Sequence, residues 1–345
     1  MNPLINFTLL FSMIIGTALT MTSHHWMMAW LGLELNTLAI IPIISKTHHP
    51  RATEASTKYF LIQAATSALI LFSSTINALF HGTWDITQLS DSLAKIMLTI
   101  ALATKLGLAP MHFWLPEVLQ GVPMLTALII TTWQKIAPMS LLIMTSKLIP
   151  TPITLTMGLT STIVGGLAGL NQTQLRKMMA FSSIAHLGWM TVIITITPSL
   201  SLFNLTLYIT LTSSAMLAMH ITSSKTLQNT ALSSTHSPLM ASLFLLSLLS
   251  LGGLPPLSGF SPKWLILQEL ILHNLTPLAT AMAITTLLSL MFYLRTTYIS
   301  TMTLPPLTTQ TKHTWRLKPN PNTSPLSTSI PISLLLLPIT PHLTQ

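Results

Sequence analysis

The stretch SLAKIMLTIALATKLGLAPMHFWLPEVLQ, residues 92–120, is apolar enough to cross a bilayer but too long for one straight span, and it carries a break in its middle. The break reads GLAPMHFWLPE from Gly107 to Glu117. A second stretch, 238–272, is broken by GLPPLSGFSPK from Gly253 to Lys263. Gly, Leu, Pro and Pro recur at 107/253, 108/254, 110/256 and 116/262, a constant shift of 146 residues, and Trp114 matches Phe260 in character. Proline removes a backbone donor and kinks a helix. Amides and carbonyls freed in this way cannot face lipid and must line protein or water. A break at mid-depth therefore implies a hydrated cavity flanked by half-helix ends with opposed dipoles. The alternative is an ordinary proline kink; the lysine beside each break argues against it.

Composition agrees that the chain lies in a membrane. Half of the 345 residues are apolar and 6% are charged, against about 25% charged in an average soluble protein. The 15 Lys and Arg and 6 Asp and Glu are too few to cover a soluble surface of this size. Apolar runs of about 20 residues, separated by polar or Pro-rich punctuation, give eleven expected spans: 3–22, 24–45, 52–80, 92–120, 123–147, 150–170, 174–196, 200–223, 238–272, 275–302 and 324–344. The fold class is all-α and polytopic. The two breaks lie five spans apart, an odd number, so the second unit enters the membrane in the opposite sense. Inverted repeats of this kind place ion sites in discontinuous helices. The expected organisation is a first repeat over 1–147, a second over 148–302, and a polar loop with a C-terminal helix over 303–345.

Basic residues sort by side. Lys46, Arg51, Lys58, Arg176, Lys177, Lys225, Arg295, Lys312, Arg316 and Lys318 fall on the side of the N-terminus, and only Lys95 and Lys147 on the other. The positive-inside rule then puts the N-terminus in the compartment of synthesis and, with eleven spans, the C-terminus opposite. The net charge of +9 reports topology, not nucleic-acid binding. With no cysteine there is no disulfide, thiolate metal site or cysteine-held iron–sulfur cluster. No Walker A or dinucleotide fingerprint is present, and GGLAG at 165–169 reads as close helix packing.

Four charges remain inside spans: Glu34, Lys105, Lys135 and Lys263. Lys135 is thirteen residues into its span, roughly 18 Å from the helix start, too deep for its stem to reach an interface. An intramembrane lysine at the centre costs about 3 kcal/mol on insertion scales. Its protonation is then set by neighbours, which is the condition for a proton relay; the bland alternative is a fixed ion pair with Glu34. Glu34 is the only mid-depth carboxylate of the first five spans, while Glu54 reads as a surface pair with nearby Lys and Arg. Lys105 ends a first half-helix, where partial negative charge favours an ammonium; Lys263 begins a second half, where partial positive charge disfavours it. His112 lies in the first break and His186 in mid-span, both candidates for proton relay. The pairs His24-His25 and His48-His49 read as solvated span ends.

The segments HHPRATEASTKYFLIQ (48–63), KLGLAPMHFWLPEVLQG (105–121), GLNQTQLRKMMAFSSIAHLGWM (169–190) and LGGLPPLSGFSPKWLILQE (251–269) resemble the antiporter-like membrane-arm subunits of respiratory NADH:ubiquinone oxidoreductase, complex I, relatives of Mrp-type cation/proton antiporters. The similarity is weakest after about residue 303. The resemblance implies proton translocation from matrix to intermembrane space, driven by quinone reduction in other subunits. It matches Glu34 to the family's acidic residue of the first repeat and Lys105, Lys135 and Lys263 to its relay lysines. It implies a multi-pass protein of the mitochondrial inner membrane, N-terminus in the matrix and C-terminus in the intermembrane space. Its partners would be other membrane-arm subunits, further antiporter-like subunits among them, and membrane lipids, with no nucleic acid. This chain would hold no cofactor of its own; NADH, FMN, iron–sulfur clusters and ubiquinone would belong to partner subunits. The rival readings are a structural or assembly scaffold of the membrane arm and a stand-alone cation/proton antiporter.

Overall fold

The computed structural model describes residues 3–46, 48–236, 238–303 and 324–340. The expected positions Lys312, Arg316 and Lys318 lie outside these residues. The described chain is helical: α1 (Pro3–Thr22), α2 (Trp26–Ser45), α3 (Pro50–His81), α4 (Ser92–Leu106), α5 (Trp114–Gly121), α6 (Met124–Thr131), α7 (Trp133–Met144), α8 (Thr151–Leu170), α9 (Leu175–Ile193), α10 (Pro198–Ile221), α11 (Leu227–His236), α12 (Pro238–Gly252), α13 (Phe260–Leu272), α14 (Thr276–Met302) and α15 (Ser324–Leu335). Seven helices or helix pairs of the described residues are long and apolar enough to cross a membrane: α1, α2, α3, the α6–α7 pair, α8, α10 and α14. The stretches 92–120 and 238–272 are each split into two helices, as their Gly and Pro residues require. The short helix α11 falls between two expected spans, in what reads from the sequence as a loop.

The described residues fall into two compact units, one within Met1–Ser161 and Met190–Pro198, the other within Thr162–Trp189 and Ser199–Gln345. In the first, α3 packs against α2, α4 and α5, and α7 against α1, α2 and α4. Small residues allow the closest approaches. A Cβ on Gly16 would come within 2.8 Å of the Gly32 carbonyl, and one on Gly121 within 2.7 Å of Ala55 Cβ. The α3 helix runs for 32 residues, about 48 Å, and buries a polar stripe that includes Gln63, Thr66, Ser73 and Asn77. Asn77 fastens the following loop, donating to the carbonyls of Thr83 (3.2 Å) and Gln88 (3.1 Å) and accepting from the Ser90 amide (3.2 Å). His25 and His49, exposed at span ends as expected, also cap helices: their Nδ1 atoms accept from the amides of Met27 and Arg51, both at 3.2 Å.

In the second unit α14 packs against α11, α12 and α13, and α12 against α15. The GGLAG stretch is close helix packing. A Cβ on Gly165 would meet the backbone of Phe181 and Ala185 at 2.8 Å, one on Gly166 Leu288 at 2.9 Å, and one on Gly169 the Phe292 ring at 2.8 Å.

Candidate functional site

Each break ends its first half-helix in the same way. Gly107 (φ 78°) and Gly253 (φ 80°) are left-handed, a conformation that glycine adopts without steric cost. The Gly107 amide donates to Thr104 O (3.1 Å) and the Leu108 amide to Ala103 O (2.9 Å). At the same offset of 146, Gly253 donates to Ser250 O (3.0 Å) and Leu254 to Leu249 O (3.4 Å). This is a Schellman stop. The Ala109–Pro110 and Pro255–Pro256 peptide bonds are both cis. The stop satisfies two carbonyls of the last turn and leaves later ones at the negative end of the helix dipole.

A lysine takes those carbonyls in both units. Lys135, on α7 and 1% exposed, donates to Leu106 O at 2.5 Å. Its ammonium also lies 5.3 Å from the centre of the Trp114 ring. The ion pair with Glu34 considered for Lys135 is absent; among the described residues the ion pairs are Lys58–Glu54 (2.5 Å) and Lys58–Glu117 (2.8 Å). Lys263, in the first turn of α13, reaches back across its own break to Gly252 O (2.8 Å) and Leu251 O (3.4 Å). The helix-end reading of Lys263 counted only its own half-helix. The ammonium sits on the negative end of α12, which offsets the positive end of α13.

Lys105 is 4% exposed, and its Nζ has no hydrogen-bond partner among the described residues. Glu34 lies within electrostatic reach of Lys105 and of Tyr59, and its Oε2 is likewise buried without a partner. Lys105 and Lys135 line one cavity with Asn36, Tyr59, Gln63 and Gln134. It leaves about 10 Å³ to the centre of a water-sized sphere, room for roughly one water molecule. Both polar atoms of Asn36 and the Nε2 of Gln134 are buried without hydrogen-bond partners among the described residues. His112 is not among the residues lining this cavity. Its Nδ1 turns to Pro110 O at 3.1 Å, inside its own loop.

In the second unit, His186 and Lys263 share a cavity with Ser182, Trp189, Ser289 and Tyr293. The electrostatic neighbours of His186 are Lys263 and the Leu251 backbone, and its ring lies 5.6 Å from that of Tyr208. The Tyr293 hydroxyl faces Ser182. Sequence reading missed Tyr293, Tyr208, Asn36 and Gln134, because polar residues on apolar helices carry no spacing signal. Glu117, at the end of the first break, bonds Lys58 and ties α5 to α3. Among the described residues no cluster of three His, Cys, Asp or Glu could hold a metal.

Residues 23–289 match the model of the NADH:quinone oxidoreductase/Mrp antiporter transmembrane family, and 290–344 that of the NADH dehydrogenase subunit 2 C-terminus. The NADH-ubiquinone oxidoreductase chain 2 of Varanus melinus is 79% identical over the full length of both chains. The chain of that name from Latimeria chalumnae is 53% identical, over 99% of this chain and 98% of the other. The chain belongs to the NADH-ubiquinone oxidoreductase chain 2 family. It is thus a subunit of the proton-translocating NADH:ubiquinone reductase. Solved structures share the antiporter-like fold. A chain of respiratory complex I from Thermus thermophilus is 24% identical with a TM-score of 0.87, over 100% of this chain and 80% of that one. A chain of the Mrp complex from Dietzia is 15% identical with a TM-score of 0.81, over 97% and 75%.

Proposed function

We propose that this membrane-arm subunit translocates protons from matrix to intermembrane space through Glu34, Lys105, Lys135 and Lys263, driven by quinone reduction in partner subunits. The observation that carries the reading is the Glu34–Lys105 neighbourhood. Half-buried Glu34 and buried Lys105, groups of opposite charge, lie within electrostatic reach of each other, yet among the described residues neither Lys105 Nζ nor the buried Glu34 Oε2 has a hydrogen-bond partner. An unpaired buried charge is costly, and two such groups held apart favour a hydrated site with exchangeable protons over a fixed ion pair. Lys135 lines the same cavity as Lys105. His186 stands beside Lys263 and is the better placed of the two histidines to share its protons. His112, bonded within its own loop, has the weaker support.

The topology that accompanies this reading has eleven spans in two inverted repeats, 1–147 and 148–302, with the N-terminus in the matrix and the C-terminus in the intermembrane space. The redox groups, NADH, FMN, iron–sulfur clusters and ubiquinone, belong to partner subunits, and the direct neighbours are further antiporter-like subunits and lipid. The test is Glu34→Gln in the whole complex, in inner-membrane vesicles. The substitution removes the opposite charge in electrostatic reach of Lys105. Proton pumping and NADH:ubiquinone turnover should both fall while the complex assembles. Normal pumping and turnover in the assembled variant would remove Glu34 from the relay and favour the scaffold reading.

A further inference from the structure

We infer that Trp114 is a positioning residue that seats the Lys135 ammonium at the carbonyl end of α4; the inference rests on the proton-translocating reading above.

Trp114 is the first residue of α5 and 4% exposed. Its Nε1 donates to Thr104 O at 3.1 Å, across the break and onto the last turn of α4. That bond locks the indole plane to the half-helix that Lys135 caps. Tyr59 of α3 meets the indole edge-to-face, with ring centres 5.8 Å apart. The ring face is thereby aimed at the Lys135 ammonium, 5.3 Å from its centre, while Leu106 O accepts the lysine's hydrogen bond. The Lys135 amine is held between a carbonyl and an aromatic face, the two surroundings that attract a cation. The titratable groups that line the cavity with it are Lys105 from α4 and Tyr59 from α3, and Glu34 of α2 is in electrostatic reach of those two; among the described residues no other titratable side chain lines the cavity. Trp114 is thus the neutral wall of the cavity that Lys135 shares with Lys105. The second unit differs at this offset. Phe260, at the equivalent offset, has no N–H to offer, and Lys263 is tied to its break by its own helix.

The test uses the whole complex in inner-membrane vesicles, with Trp114→Phe, Trp114→Leu and Lys135→Met compared for protons pumped per NADH as a function of pH. Loss of the aromatic face in Trp114→Leu should move the alkaline limb of the pumping profile toward lower pH by about one unit. Trp114→Phe keeps the face and loses only the indole N–H, and should recover most of that displacement. A Trp114→Leu complex with the wild-type profile, or Phe and Leu variants displaced equally, overturns the proposal. If Trp114→Leu does not assemble, Trp114→Met supplies the non-aromatic variant, with the same outcomes. Normal pumping by Lys135→Met would instead refute the underlying relay. Lost pumping in Lys135→Met beside unshifted Trp114 variants would refute the seat alone.

Discussion

The two breaks share a stop and a cis peptide bond and differ in the side chains that attach to them. Each ends a half-helix on a left-handed glycine with the same pair of backbone bonds. The lysine that neutralises the exposed carbonyls comes from the next helix in the first unit and from the second half of the same broken helix in the second. The position after the proline-rich turn differs too. His112 closes on Pro110 O inside the loop, whereas its counterpart Ser258 donates to the carbonyl of Ser333 on α15. One residue later stand Phe113, 70% exposed, and Gly259, whose Cβ would overlap the Ser250 carbonyl. A dipole end in a membrane needs a cation; which segment supplies it is free to change. The first arrangement makes room for a second lysine, Lys105, beside Glu34. The second confines its single lysine against the break.

Substitutions at the glycines separate these designs, starting with the largest effect. Gly259→Ala forces a side chain into the backbone of α12 and should cost about 3 kcal/mol or more. Native electrophoresis should show little assembled complex, whereas Phe113→Ala should assemble normally. Equal assembly of the two variants would mean that the second break is as open as the first. A smaller and more informative pair is Gly253→Ala and Gly107→Ala. Both impose a positive φ on alanine, at about 1–2 kcal/mol. At Gly107 the new methyl meets Trp114 at 3.4 Å, ordinary contact, but at Gly253 it would lie 2.9 Å from Lys263 Nζ. A flexible lysine end can move, so thermal stability should drop equally in the two variants. Protons pumped per NADH should fall in Gly253→Ala alone. Equal pumping would show that the Lys263–Gly252 bond has no functional weight.

Much of this was legible in the sequence, for reasons that can be named. The breaks announced themselves because glycine and proline act locally: Gly107 and Gly253 stop a helix whatever surrounds them. The buried charges stood out because charge inside an apolar run has few innocent explanations. What escaped was set by contacts between distant segments. Lys135 and Leu106 are 29 residues apart, and nothing in the run around Lys135 names a carbonyl as its partner. Lys263 was read against the dipole of its own helix, although its side chain is long enough to cap the preceding one. Asn36, Gln134 and Tyr293 look like ordinary polar residues of membrane helices until a cavity collects them. The helix α11 was invisible because LQNTALSSTH lacks the length and hydropathy that flag a span.

The central claim is that the lysines seated on the two carbonyl ends carry protons and do not merely neutralise a dipole. The most direct measurement is protons pumped per NADH oxidised in inner-membrane vesicles whose complex carries Lys135→Met or Lys263→Met. Methionine keeps the bulk and removes the titratable group, and it should ease membrane insertion by about 3 kcal/mol. The prediction is a fully assembled complex whose pumping ratio falls sharply in both variants. An assembled complex with an unchanged ratio in either would contradict the claim for that lysine, and failure to assemble would make it a structural cap.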